Sequence, residues 1–271
     1  MGIYDRDYYR TPTPRRGFGV FSMWSVTTWL IVVNVAIFAI DAFLARQMFY
    51  NQYGEALRQL PPAERPLVVS RYAIRPMEAW GYFSFTKAVL EFQAWRFLSF
   101  QFLHANLGHL FSNMLSLFLF GPIVENYLGW RRYLAFYLLC GCSGAISYML
   151  LLLVGLLHGA DVPLVGASAG IFGVLVAGAI LAPDVTIMFI FPPVPIQLKY
   201  LALILVGWAA YTALSGGYNA GGQAAHIGGA ALGYLLIRHP HVLNFVEPRS
   251  QRSLRLRRRS RSTDWSKNFD R

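Results

Sequence analysis

The chain has 271 residues, of which 55% are hydrophobic and only 14% are charged, and its mean hydropathy is +0.40. Soluble domains carry about 25% charged residues, so this composition argues against an ordinary soluble protein and indicates a membrane protein. The net charge of +11 is concentrated towards the two ends of the chain, and the two cysteines, Cys140 and Cys142, predict no disulfide framework.

Six apolar runs follow one another along the chain, and about 20 apolar residues are enough for a helix to cross a bilayer. The runs cover 24–44, 107–124, 133–157, 164–182, 198–214 and 224–237, the last being shorter and rich in small residues. We therefore predict an all-α membrane protein, a bundle of six transmembrane helices. The predicted segments are a tail at 1–20, a first transmembrane helix at 21–45, a loop at 46–106, a core of five transmembrane helices at 107–240 and a basic tail at 241–271.

Arginines before the first run, after the second run and in the C-terminal tail predict the orientation. Basic residues beside membrane spans mark the cytoplasmic side, so we expect both termini in the cytoplasm and the 46–106 loop outside. The absence of a presequence and the short extramembrane parts favour a bacterial cytoplasmic (inner) membrane. Beside a membrane helix, a basic tail more often binds anionic lipid headgroups than nucleic acid. We expect lipid contact and no nucleic acid, with a merely solvated tail as the alternative.

The 46–106 loop is too long for a simple connection between two helices. Its prolines interrupt regular structure, and its many Trp and Tyr residues are typical of segments that lie at the level of the lipid headgroups. We expect short helices partly buried in the outer membrane interface, and no separate soluble domain.

Four polar residues lie inside or at the edge of these apolar runs: Ser168, His226, His109 and Asn113. An unpaired polar group in hydrocarbon costs several kcal/mol, and an ionisable residue within a span suggests a functional site. The four residues would avoid this cost if they met in one water-filled cavity.

Small residues explain how the serine and the histidine could meet. They recur at every fourth position, as Ala169, Gly173 and Ala177 in the fourth run and as Ala225, Gly229 and Gly233 in the sixth. Such faces let membrane helices approach closely, so we predict that these two helices pack face to face. His226 would then take the Ser168 proton as general base and return it to a leaving amine.

His109 and Asn113 are four residues apart and share one helix face. Both side chains can donate hydrogen bonds, so together with the Ser168 backbone N–H they could stabilise the oxyanion of a tetrahedral intermediate. A polar clamp between helices is the alternative interpretation of this pair.

The sequence lacks the residues that a catalytic triad or a metalloprotease would require. No carboxylate lies in the sixth run, so we predict a dyad in place of a triad. The chain has no H-E-x-x-H motif, and His104 and His109, five residues apart, do not share a helix face, so neither a metal nor a cofactor is predicted. A transporter is disfavoured because the sequence has no visible internal repeat.

Between about 95 and 233 the chain resembles the rhomboid intramembrane serine proteases. The matching motifs are Trp95-Arg96, His104-x4-His109-x3-Asn113, Gly121-x3-Glu125-x3-Gly129, Gly166-Ala-Ser168-Ala-Gly170 and Ala225-His226-x2-Gly229. The resemblance implies a Ser168–His226 catalytic dyad, with His109 and Asn113 in the oxyanion hole. It also implies a membrane-embedded first loop, a cavity that opens outward, and single-pass transmembrane substrates cleaved near their outer end.

The same resemblance implies structural roles for Arg96 and Glu125. We interpret three glycines of the motifs, Gly166, Gly170 and Gly229, as packing or backbone-donor positions. One residue departs from the family pattern, because some relatives carry a tyrosine where Phe172 stands; a phenyl ring can stack on the histidine but cannot donate a hydrogen bond. A catalytically inactive rhomboid-like protein that binds other membrane proteins, as a chaperone does, remains the main alternative.

Overall fold

A computed structural model describes residues 24–157, 162–188, 194–217 and 219–247. The predicted 1–20 tail and most of the predicted basic tail lie outside these residues. Helix α1, Val26–Arg58, begins after Ser25, whose Oγ accepts a hydrogen bond from the Thr28 N–H at 3.1 Å. Its 33 residues span about 50 Å at 1.5 Å per residue. The helix therefore continues past its predicted end at residue 45, with a kink at Tyr53.

The segment after α1 forms the short helices that the sequence predicts. They are α2 (Arg65–Tyr72), α3 (Pro76–Gly81), a π-helical turn (Thr86–Leu90), α4 (Arg96–Ser99) and a 3-10 turn (Phe100–Phe102). Trp80 and Trp95 stack with their ring centroids 5.4 Å apart, and both rings are exposed. Exposed indole rings suit the headgroup level of a membrane.

Buried Asp41 joins α1 to this segment. Its carboxylate accepts hydrogen bonds from the backbone N–H groups of Met77 and Glu78 at 2.7 and 3.1 Å, which satisfies the start of α3. Arg75 pairs with Asp41 and also donates to the carbonyl of His104, at the entry to the next helix. The cluster of Asp41 and Arg75 thus connects α1, the start of α3 and the residues just before the next long helix.

Five further helices complete the described fold: α5 (Leu107–Leu128), α6 (Trp130–Leu153), α7 (Ser168–Leu181), α8 (Leu198–Leu214) and α9 (Ala220–Arg238). Only Gly129 separates α5 from α6, and its φ of +78° reverses the chain where a side chain would be strained. A small antiparallel hairpin of β1 (Thr186–Met188) and β2 (Pro195–Gln197) precedes α8, with Ile187 opposite Ile196.

The first residues of the predicted basic tail are structured. Pro240–Val246 forms a 3-10 helix with Leu243 fully buried. Arg132 of α6 donates to the Asn244 side chain at 2.6 Å and pairs with Glu247. Apolar and ionic contacts therefore hold the first residues of the predicted tail against α6.

Small residues bring α7 and α9 together, as the sequence predicts. A Cβ atom at Gly233 would stand 2.5 Å from the Cα of Gly173, and one at Gly229 would overlap the carbonyl of Ala169. Helix α6 also joins this contact, because a Cβ at Gly144 would stand 2.5 Å from the Cβ of Ala169. The predicted face-to-face packing is confirmed, and α6 is its third member.

Three of the described helices are long and apolar enough to cross a membrane: Val26–Arg58, Leu107–Leu128 and Trp130–Leu153. Ser168–Leu181 and Leu198–Leu214 are apolar but shorter. The chain is a predominantly helical membrane protein, and the count of six spans stays a prediction.

Candidate active site

Ser168 and His226 meet where α7 and α9 pack. Ser168 is the first residue of α7 and His226 lies in the second turn of α9. The Ser168 Oγ and the His226 Nε2 are 2.8 Å apart, which is a hydrogen-bond distance. Residues 58 positions apart in the sequence are thus joined through the close approach of two glycine-lined helices.

The His226 ring is held on two sides. Phe172, one helical turn after Ser168, stacks on it with ring centroids 4.1 Å apart and planes 11° from parallel. The other ring nitrogen, Nδ1, lies 3.0 Å from the Oε1 atom of Gln223. The stack restrains the plane of the imidazole, and the polar contact restrains its rotation within that plane.

Two of the predicted oxyanion donors are the Asn113 side chain and the Ser168 backbone N–H. Asn113 is 6% exposed, and its Nδ2 atom has no hydrogen-bond partner among the described residues. The Ser168 backbone N–H belongs to the first turn of α7, where N–H groups have no acceptor within the helix and favour negative charge. Buried donors without an acceptor are what an oxyanion site requires before substrate binds.

His109 approaches the serine through the space beside Gly166. A Cβ atom at Gly166 would stand 2.8 Å from the His109 Nε2 and 3.5 Å from the Ser168 Oγ, so the imidazole and the hydroxyl border the same small space. Gly166 also has a φ of +129°, which a residue with a side chain rarely adopts. Both observations account for glycine at this position.

Two other glycines of the motifs are packing positions. A Cβ at Gly170 would stand 2.8 Å from the ring of Tyr137 on α6, and Gly229 faces the carbonyl of Ala169 directly after the serine. Because glycine has no side chain at these two positions, α6, α7 and α9 can pack closely enough to form the site.

Arg96 and Glu125 each stabilise a contact between other parts of the chain. Arg96 is buried and donates to the carbonyl of Tyr82 and to the Gln93 side chain, both at 2.6 Å, which folds the 46–106 segment on itself. Glu125 lies sixteen residues beyond His109 on α5, about 24 Å along the helix axis. Its carboxylate accepts the backbone N–H groups of Val26 and Thr27 at the start of α1. Glu125 is therefore not next to the pair, because it stabilises the opposite end of the bundle.

His104 is fully buried, and its ring stands nearly perpendicular to that of His109, with the centroids 5.2 Å apart. Burial, followed by the proximity of His109 and Arg75, lowers the pKa of His104 to about 3, so this ring is neutral at physiological pH. Among the described residues no three His, Cys, Asp or Glu side chains are grouped as metal ligands.

Gln223 is a residue of the site that the sequence patterns did not predict. The available signal was its position three residues before His226, which places both side chains on one face of α9. The packing of Tyr137 was not predicted either, because the sequence does not indicate which glycine an aromatic residue within an apolar run will contact.

The fold and site together define a helical membrane protein with a hydrogen-bonded serine–histidine pair where two of its helices pack. A Rhomboid domain matches residues 91–239. The chain is 30% identical to RHOMBOID-like protein 4 of Arabidopsis thaliana over 246 residues, 86% of this chain and 58% of that protein. It is 33% identical to Rhomboid protease AarA of Providencia stuartii over 163 residues, 55% of this chain and 58% of that protein.

The chain belongs to the rhomboid family, and the resemblance that the motifs predict is confirmed. It spans about half the length of the relatives that it matches, including RHOMBOID-like protein 1 of Arabidopsis thaliana, of which it covers 54% at 30% identity.

Proposed function

We propose that this protein is an intramembrane serine endopeptidase that cleaves transmembrane helices of membrane-protein substrates near their outer end. The observation that carries the proposal is the 2.8 Å contact between the Ser168 hydroxyl and the His226 imidazole. The buried, unpartnered Nδ2 of Asn113 supports it, and so does similarity to a relative that is named a protease.

In the first step the Ser168 Oγ attacks the carbonyl carbon of the scissile peptide bond. The hydroxyl proton passes to the His226 Nε2, and the carbonyl oxygen becomes an oxyanion. Asn113, His109 and the Ser168 backbone N–H would donate to that oxygen. The His226 imidazolium then protonates the leaving nitrogen as the C–N bond breaks, which leaves an ester on Ser168.

In the second step water hydrolyses the ester. His226 takes a proton from the water, the hydroxide attacks the acyl carbon, and the proton returns to the Ser168 oxygen as the C–O bond breaks. The cycle consumes one water and needs no redox partner, and we propose that it uses no cofactor or metal.

Water must reach Ser168 for this chemistry. Helix α7 has 14 residues, about 21 Å, which is shorter than the hydrocarbon core of about 30 Å. A helix that begins below the membrane surface leaves room for an outward-facing aqueous cavity above its first residue. Irregular backbone at that depth is tolerated where it lines such a cavity.

The proposed substrates are single-pass transmembrane proteins with small residues before the scissile bond, in a segment that unwinds easily. We also propose that the core crosses the membrane six times with both termini in the cytoplasm and with the basic tail on anionic headgroups. The proposed membrane is the bacterial cytoplasmic (inner) membrane, and the relatives named above come from a plant and a bacterium.

The test is cleavage of a tagged transmembrane peptide by the purified full chain in proteoliposomes. The wild type should cleave, whereas Ser168→Ala and His226→Ala should not. Ser116→Ala is the matched control, because this serine also lies within a membrane helix but donates to the Ser112 carbonyl. Cleavage that persists in Ser168→Ala would refute the catalytic assignment. A folded wild type that binds the peptide without cleaving it would favour the inactive membrane-protein binder.

A further inference from the structure

We propose that Gln223 is a positioning residue that holds His226 in its Nδ1–H tautomer. The proposal rests on the proposed function, because it assigns the residue that prepares the general base. Gln223 Oε1 and His226 Nδ1 are 3.0 Å apart, and on the other side of the ring Nε2 and Ser168 Oγ are 2.8 Å apart. The imidazole thus bridges an amide oxygen and a hydroxyl.

The tautomer of His226 decides whether this residue can act as a general base. A neutral imidazole has one N–H and one bare nitrogen, and only a bare Nε2 can accept the Ser168 proton. An amide oxygen is an acceptor, so it pairs with Nδ1–H and leaves Nε2 bare. The amide nitrogen of Gln223 in the same place would favour the opposite tautomer, with Nε2–H pointing at the serine. The chemistry therefore depends on which end of the Gln223 carboxamide faces the ring.

Phe172 cannot perform this role. Its ring covers one face of the imidazole, and a phenyl group offers no in-plane acceptor to Nδ1–H. Stacking restrains the tilt of the His226 ring but does not distinguish its two nitrogens. Phe172, which stands where some relatives have a tyrosine, therefore cannot select the tautomer of His226. We assign that role to Gln223.

The backbone around Gln223 is fixed. The side chain of Asn219 caps α9 by accepting the Gly222 N–H at 3.3 Å, and the Gln223 N–H donates to the Asn219 carbonyl at 3.0 Å. Gln223 and His226 are three residues apart and half-buried on this anchored turn. The Nδ1–H of His226 and the Oε1 of Gln223 therefore lose little conformational freedom when they form a hydrogen bond.

The first experiment reads the tautomer directly, by ring ¹⁵N NMR of His226 in the full-length protein. We compare the wild type with Gln223→Met, which has a similar size but no acceptor, and with Gln223→Glu, which restores one. Gln47→Met is the control, because Gln47 pairs with Asn51 on a helix away from the site. The wild type, Gln223→Glu and the control should hold Nδ1–H, whereas Gln223→Met should shift towards Nε2–H.

The second experiment measures peptide cleavage by the same variants. One neutral hydrogen bond corresponds to a factor of roughly 2 to 10, so Gln223→Met should lower kcat by about that factor with KM unchanged. Gln223→Glu should recover most of the rate. A merely structural residue would instead lower thermal stability, and glutamate would not rescue it.

The two proposals fail separately. An Nε2–H tautomer in the wild type, or an unchanged tautomer and kcat in Gln223→Met, would overturn the role of Gln223 while cleavage by Ser168 stands. A wild type that cleaves no peptide would overturn the proposed function, and the NMR comparison would still report whether Gln223 sets the tautomer.

Discussion

Gly229→Ala should pull Ser168 and His226 apart without touching either side chain. A Cβ atom at Gly229 would overlap the carbonyl oxygen of Ala169 and stand 2.7 Å from its carbonyl carbon, whereas ordinary contact begins at 3.4 Å, so the helices must separate by more than about 0.7 Å. Ala169 follows the serine directly, so the 2.8 Å contact between Ser168 and His226 would lengthen to more than about 3.5 Å, beyond good hydrogen-bond geometry. Displacements near 1 Å in an active site cost about 10²-fold in rate, and overpacking costs about 1–3 kcal/mol in stability.

The assay is kcat for transmembrane-peptide cleavage in proteoliposomes, with the unfolding temperature measured on the same samples. Gly207→Ala on α8 is the matched control, because no atom lies within 4 Å of the Cβ it would add. The control should keep the wild-type rate and gain slightly in helix stability. A folded Gly229→Ala variant with the wild-type kcat would show that glycine packing does not set the distance between Ser168 and His226.

Three further predictions concern other parts of the molecule. Asn113→Ala should lower kcat by about 10²-fold or more if its unpartnered Nδ2 holds the oxyanion; unchanged turnover would make it a packing residue. Glu125→Gln should lower the free energy of unfolding by about 1–3 kcal/mol, because it disturbs the cap of α1, and should leave kcat of the folded protein unchanged; a large loss of kcat would contradict this. Burial raises the pKa of Glu78 by more than nearby Arg75 lowers it, so the folded state loses stability as pH rises above the ordinary glutamate value of 4.5. Glu78→Gln should therefore raise the unfolding temperature at pH 7 and flatten its dependence on pH, and a lower unfolding temperature at pH 7 would refute the sign.

Sequence patterns predicted the helical core well because hydrophobicity sets where a membrane helix lies. The run 198–214 coincides with α8, and the run 164–182 contains α7. Small residues at every fourth position predicted the contact between α7 and α9. Glycine and alanine at this spacing form a helix face that lets another helix approach closely, and this spacing can be read from the sequence. That contact brings the predicted Ser168 and His226 together.

Other features depend on partners far away in the sequence. Helix α1 continues beyond its apolar part to Arg58, where polar residues remain helical and hydropathy gives no signal. Docking of Pro240–Val246 depends on Arg132, more than one hundred residues earlier. The contact of Gln223 with the Nδ1 of His226 depends on the ring orientation that Ser168 and Phe172 impose from α7, which spacing along α9 alone does not give.

The most direct measurement is the site of covalent attack on a fluorophosphonate, located by mass spectrometry of the digested full-length protein. A serine activated by a histidine should displace fluoride and carry a phosphonyl adduct. We expect an adduct on Ser168 in the wild type and its loss in His226→Ala. An adduct on another residue, or equal labelling of Ser168 without His226, would contradict the serine–histidine dyad.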